Sequence, residues 1–160
     1  GIRESHMVDV SQLVIEKDKS VVGVFADIVV IDYDGNLFDA CSYAATAALL
    51  TSKTPKWTMV DDKITLVDGE ESPLPTTTIP VSVTMGKIGK YIVVDPNGDE
   101  WESMDARVTI TSDSDGNICA LQKGGSDGFT LDEIVQCGEL SVRIGAQIRE
   151  KLKAAQQGAQ

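Results

Sequence analysis

The sequence has a single histidine, three cysteines and an aromatic content of only 5%. His6 stands near the start with no nucleophile paired to it, so a Ser-His or Cys-His hydrolase finds little support. Cys41, Cys119 and Cys137 are odd in number, widely spaced and set in apolar segments. Zinc sites need close pairs, which are missing; the three read as buried thiols of a reducing cytosol. Trp57 and Trp101 read as packing residues rather than platforms for stacked bases. Positive charge is scarce, with 14 Lys and Arg against 25 Asp and Glu and a net charge of −11. Nucleic-acid backbones are held mainly by cations that release counterions, so this chain alone is expected to bind RNA poorly. Divided at Pro75, the front has 6 basic and 13 acidic residues and the rear 8 and 12, so neither half is a basic module. No stretch approaches the roughly 18 apolar residues that cross a bilayer, and no charged segment leads into an apolar one at the start. The expectation is a cytoplasmic protein without a membrane partner.

What is present is an ordinary globular composition, 42% hydrophobic and 24% charged, in a chain long enough to bury roughly 70% of its unfolded surface. Val21 to Tyr33 reads VVGVFADIVVIDY, rich in β-branched and aromatic residues, and predicts a central strand covered on both faces. Asp34-Gly35 supplies turn chemistry, Asn36 suits an N-cap, and Leu37 to Leu50 predicts a helix of mostly small side chains whose backbone can lie flat on a sheet. Pro55 stops it. KWTMV and KITLV predict two short strands joined at Asp61-Asp62, and Gly69 to Pro75 an acidic linker, placing a domain boundary that divides 1–72 from 73–160.

The second part predicts two hairpins, IPVSVTM with KYIVVDP and ARVTITSD with NICALQK, separated by an acidic turn at NGDEWESM. In ARVTITSD, Ala106, Val108 and Ile110 alternate with Arg107, Thr109 and Thr111, predicting one buried face and one that is wet or shared with a partner. Thr130 with Glu133 forms a capping box that opens a long helix. Its predicted packed stripe is Leu131, Ile134, Val135, Gly138, Val142, Gly145, Ile148, Leu152 and Ala155. Arg143, Arg149, Lys151 and Lys153 sit in its latter half, where the helix dipole favours cations.

IDYDGNLFDACSYAATAALL, flanked by IRESHMVDVSQLVIEKDKSVV and by LPTTTIPVSVTMGKIGKYIVVDPNGDEWESMDARVTI, resembles the RNase PH family. Within it the likeness is to the non-catalytic RNase PH-like ring subunit of the archaeal exosome, and it covers nearly all of the chain in order. The resemblance extends over Ile2 to Val8, so SHM is taken as native and the chain as beginning inside the first domain. It implies an α/β (α+β) sandwich: part of a first RNase PH-like domain, then a complete second domain of four strands backed by helices. It further implies pairing with the catalytic RNase PH-like exosome subunit in a hetero-oligomeric ring, three copies of each alternating, with RNA reached through the assembled complex.

Most local candidates for chemistry resolve into structure. Asp113-Ser114-Asp115-Gly116-Asn117 resembles the start of a calcium loop, but its glycine comes early and position twelve is Gly124, so it reads as a hairpin turn. Gly124, Gly125 and Gly128 precede a helix start, yet the Walker pattern is absent and they read as a connection. Asp99 and Asp105, six apart, could position a metal or a phosphate's partner groups. Their Met-Asp-Ala context resembles that of the inactive subunit, and phosphorolysis needs an arginine cradle, while residues 21 to 106 contain no arginine. The pair is read as vestigial. Arg3 is the residue expected to face RNA or the partner, and no cofactor or metal is expected. The alternative reading is a phosphorolytic 3′-to-5′ exoribonuclease in its own right, and a third a free-standing small α/β protein.

Overall fold

The computed structural model describes residues 1–61 and 63–158. A 3-10 turn at Val10–Leu13, capped by Asp9, leads into a small antiparallel pair, β1 (Val14–Glu16) and β2 (Ser20–Val21). Beyond Val21 the expected central strand is not formed. Residues 23–33 belong to no strand, and their apolar side chains face outward: Phe25 is 91% exposed and Ile31 96%. A strand exists only where a neighbour pairs its backbone groups, and no described strand pairs with this segment. High β propensity without a partner leaves an extended, open chain.

Asn36, in the left-handed region at φ 36°, caps α1 (Leu37–Thr51) by accepting from the Asp39 N–H, as the sequence predicts. Next come β3 (Lys53–Val60) and β4 (Lys63–Pro73), a hairpin longer than expected. Pro55 lies inside β3, beside a bulge that absorbs its missing N–H, and Gly69 to Pro73 is strand rather than linker. Asp62, half of the expected turn, lies outside the described residues. Trp57 is partly exposed on this hairpin, not packed in a core.

The second sheet has four antiparallel strands: β5 (Val81–Ile88) and β6 (Tyr91–Val94), then β7 (Ala106–Ser112) and β8 (Ile118–Gly125), in spatial order β6-β5-β7-β8. Between β6 and β7 the predicted acidic turn is a short helix, α2 (Gly98–Ser103). Asn97 and Glu100 form a reciprocal capping box there, and Asp99 and Glu100 favour its N-terminus. Asp113 accepts from the N–H groups of Asp115 and Asn117, confirming the β7–β8 connection as a turn.

The long α3 (Leu131–Gly158) opens with the predicted capping box, Thr130 Oγ1 to Glu133 N at 3.2 Å and Glu133 Oε2 to Thr130 N at 2.7 Å. Of the predicted stripe Gly145 is buried and Ile134, Ile148 and Leu152 pack against the core, but the fully buried row is otherwise different. Cys137, Ser141, Gly145 and Arg149 line up at intervals of four, while Leu131 and Val135 face out. Small side chains in that row let the helix approach the sheet closely: a Cβ on Gly145 would meet Ser112 Oγ at 2.9 Å. Arg149 is not a surface cation near the dipole but is 5% exposed, donating to the carbonyls of Ile79 and Ser112 at 2.8 and 2.9 Å. It ties the helix to the start of β5 and the end of β7.

Val81, Val83 and Met85 of β5 with Val108 and Ile110 of β7 face α3 and form the main core. The opposite face, expected to be wet or shared, is covered by α1, and Thr109 and Thr111 are buried with Ser82 and Thr84. Hydroxyls can be buried here because they satisfy one another. A smaller core of Met7, Leu13, Leu49, Leu50, Leu74 and Ile79 joins the first residues to the end of α1.

Candidate functional site

The α1 face of the second sheet is a polar seam between a helix and two strands. Ser42 and Ser82 hydroxyls lie 3.0 Å apart, Ser82 and Thr111 2.9 Å, and Thr84 and Thr109 2.8 Å. Tyr43 donates to the Ser82 carbonyl at 2.7 Å, and burial raises its phenol pKa, with Asp39 and Asp95 adding to the rise. One row of the sheet thus presents hydroxyls because period-2 alternation puts Thr109, Thr111, Ser82 and Thr84 on the side opposite the valines.

At the start of α1 the seam gathers carboxylates. Asp39 is buried and accepts from Thr84 N and Thr84 Oγ1, both at 2.8 Å, and from Asn36 Nδ2 at 2.9 Å. Asn36 Nδ2 also donates to Asp95 Oδ1 at 2.7 Å. Burial raises the Asp39 pKa above the ordinary 3.8 and the Asp95 charge raises it further, against the pull of the three hydrogen bonds. Gly35, at φ 87°, lets the preceding turn lie against the Pro96–Asn97 backbone, and Asp34 Oδ1 accepts from Gly98 N at 3.1 Å. The turn before α1 and the turn after β6 are therefore locked together. With its oxygens facing three donors, Asp39 acts as a structural acceptor rather than a base.

A cleft of about 790 Å³ opens beside this seam, lined by Arg3, Phe38, Cys41, Ser82, Thr109 and Gln122 among others. Arg3 is exposed at its rim. Neither member of the sequence-predicted acidic pair lines this cleft. Asp99 is exposed on the first turn of α2. Asp105 stands before β7, where Oδ2 accepts from Gly89 N at 2.8 Å and fixes the β5–β6 turn. Among the described residues no group of three or more His, Cys, Asp or Glu is placed to hold a metal.

Sequence reasoning missed Asp39, Asp95 and Arg107. Asp39 carried a signal, being the one acid inside an Ala-rich helix, whereas Asp95 looked like an ordinary strand end before proline. Arg107 was assigned to a face that is wet or shared with a partner. In the structure its guanidinium carbon lies 4.5 Å from the Phe38 ring centre and 4.9 Å from that of Trp101, the two rings being stacked 6.3 Å apart. Gly124, across the β7–β8 ladder, lies under it: a Cβ there would meet Nε at 2.7 Å and Cζ at 2.8 Å. Gly124 thus serves close approach, as Gly125, at φ 83°, also does against the Ala106 backbone, whereas Gly128 has open space around it.

Residues 2–55 match the first domain of the 3′ exoribonuclease family and residues 78–144 match its second domain. The chain is 44% identical over 157 residues to the exosome complex component Rrp42 of Thermococcus kodakarensis, covering 97% of this chain and 57% of that protein. Against the component of the same name from Methanopyrus kandleri it is 38% identical over 154 residues, with 96% and 58% covered. A solved archaeal exosome core superposes with a TM-score of 0.84 at 39% identity, over 95% of this chain and 59% of that one. The Archaeoglobus fulgidus exosome with RNA bound to the active site gives 0.81 at 38%, over 94% and 56%. The chain therefore spans less than two thirds of the length of these relatives. With both domain signatures in order, and a fold shared with solved exosome chains along almost its whole length, this chain belongs to the RNase PH family of 3′ exoribonuclease domains.

Proposed function

We propose that the chain is a non-catalytic structural subunit of an archaeal exosome core ring, pairing with a catalytic RNase PH-like subunit and supporting 3′-to-5′ RNA degradation by shaping that partner's active site. The observation that carries this reading is the placement of Asp105. Its carboxylate is committed to the Gly89 N–H of a hairpin turn, and Asp99 points from a separate helix into solvent. A carboxylate holding a backbone N–H and a second one turned to solvent support a structural rather than a catalytic role for the pair. The cations agree with it, because phosphorolysis must bring two anions together. Arg149 is spent on backbone carbonyls and Arg107 on aromatic faces, which leaves two exposed arginines, Arg3 at the start of the chain and Arg143 on α3, and not a cradle.

On this reading residues 1–72 are the rear of the first domain and 73–160 the whole second domain. RNA or the partner subunit meets the chain at Arg3, on the cleft rim, and the complex works in the cytoplasm. The family's similar chains supply the context: the solved relatives are exosome chains, one of them in a complex with RNA bound to the active site.

The test mixes the purified chain with a catalytic RNase PH-like exosome subunit, follows mass by light scattering, and measures RNA shortening with and without inorganic phosphate. A defined hetero-oligomer with raised phosphate-dependent decay, and an inert chain alone, is the expected outcome. RNA shortening by the chain alone, abolished by Asp105→Asn, would overturn the reading in favour of an enzyme in its own right.

A further inference from the structure

The N-terminal half of α3 carries an apolar stripe that the fold leaves open. Leu131, Val135, Gly138 and Val142 recur at spacings of four, three and four, the pattern of a helix that meets a second helix along one line. Leu131 is 78% exposed and Val135 54%, and Ile118 at the start of β8 is exposed beside them. Between the stripe and the β7–β8 turn runs an open groove lined by Gly116, Ile118, Val135, Gly138 and Val142, with Arg143 at its edge. Glycine inside a helix costs stability, and the two interior glycines of α3 differ in what they return. Gly145 is required by Ser112, whereas a Cβ on Gly138 would meet one neighbour, Ile118 Cδ1, at an ordinary 3.6 Å. The chain's own packing therefore does not demand a glycine at 138. A second helix crossing there would, because a missing side chain lets two helix backbones approach.

Charge says which helix. Asp132 and Arg143 are exposed on α3, and among the described residues neither has an ion-pair partner. Eleven residues apart on one helix, about 16 Å, they do not reach each other within the chain. A second copy of α3 laid antiparallel brings Leu131 opposite the second copy's Val142 and Val135 opposite its Gly138, and the twofold axis repeats each contact. All four members of the stripe are then paired, and the same register sets Arg143 beside the second copy's Asp132, twice over. A parallel arrangement would instead set Asp132 against Asp132 and Arg143 against Arg143. We infer that this face of α3 docks a second copy of the chain, helix antiparallel to helix, in a twofold dimer held by the apolar stripe and two Asp132–Arg143 ion pairs. Three turns of helix make a small interface, and a net charge of −11 on each copy opposes approach, so the dimer is weak and forms at high concentration. The inference concerns copies of this chain outside any ring and stands apart from the ring reading, so failure of either leaves the other in place.

Sedimentation equilibrium of the purified chain, from about 1 μM to about 1 mM at fixed ionic strength, should show a reversible monomer–dimer equilibrium. Val135→Glu buries a charge in the contact and should weaken association by about tenfold or more. Arg143→Glu and Asp132→Arg should each weaken it by about threefold or more, since each sets like charges together twice. Mixing these two single variants in equal amounts should restore association, because each copy then meets the opposite charge on the other. Circular dichroism establishes that each variant is folded; should Val135→Glu fail to fold, the two charge variants and their mixture decide. A chain that stays monomeric at every concentration overturns the inference. So does association that Val135→Glu leaves unchanged, which would assign the contact to another apolar surface such as residues 23–33. A mixture of the charge variants that associates no better than either alone overturns it as well.

Discussion

Asp39 shows how one residue can hold two parts of a chain together and make that hold depend on pH. Its acceptors face Thr84 of β5 and Asn36 before α1, which in turn reaches Asp95 after β6. Burial raises its pKa above 3.8, so the folded chain keeps a proton on Asp39 more readily than the unfolded chain does. That stabilisation is complete below the unfolded value and is lost as pH climbs through the folded one. Asp9, Asp113 and Glu133 run the other way, because hydrogen bonds to their charged forms lower their pKa values and their contributions appear as pH rises. Only a difference measurement isolates Asp39. Asp39→Asn leaves three donors sharing one amide oxygen and should cost about 2–3 kcal/mol in urea unfolding. The gap between wild type and variant should narrow as pH rises from about 4. A gap that widened with pH would mean that the hydrogen bonds, not burial, dominate the environment of Asp39.

At the scale of elements the contrast lies between strands that have partners and a strand-like segment that has none. β5 and β7 are buried on both faces and hydrogen-bonded on both edges, whereas residues 23–33 share their β-branched composition and pair with nothing described. Amide exchange should therefore be slow, near the global unfolding limit, at Val83, Met85, Val108 and Ile110, and fast without protection from Val24 to Ile31. Protection of that segment in the chain alone, read by mass spectrometry or NMR, would show that it pairs. The same contrast explains which elements were legible in the sequence. The α1 and α3 starts were readable because caps are local: Asn36 and Thr130-Glu133 state where a helix begins, whatever surrounds it. Strand and hairpin order in the second sheet followed from alternation and turn residues. What was misread depended on neighbours: whether 23–33 would be covered, which face of α3 would meet the sheet, and whether Arg107, Thr109 and Thr111 faced water. Hydrophobicity named Val135 and Val142 for the α3 stripe, but beside the expected Gly145 close packing chose Cys137 and Ser141, whose small size was the relevant property.

For the whole molecule, charge sets what the chain can do alone. A net charge of −11 repels nucleic acid at long range, and no half of the sequence is basic enough to counter it. The candidate site was only partly legible for the same reason that the charge was: sequence counts cations but does not say which are engaged. Four arginines are present, and the structure divides them, with Arg149 bound to carbonyls inside, Arg107 stacked on aromatic rings, Arg3 exposed on the cleft rim and Arg143 exposed on α3. Any RNA contact made by the isolated chain therefore engages one or two phosphates rather than a tract. Salt dependence measures that number directly, since each phosphate neutralised on a single strand contributes about −0.7 to the slope of log K against log salt. Titrating a short single-stranded RNA between about 50 and 200 mM salt should give a slope of about −0.7 to −1.4, falling toward zero in Arg3→Met. A slope near −3 or steeper would reveal a basic groove that the charge distribution of this chain does not contain, and with it a different route for RNA across the surface.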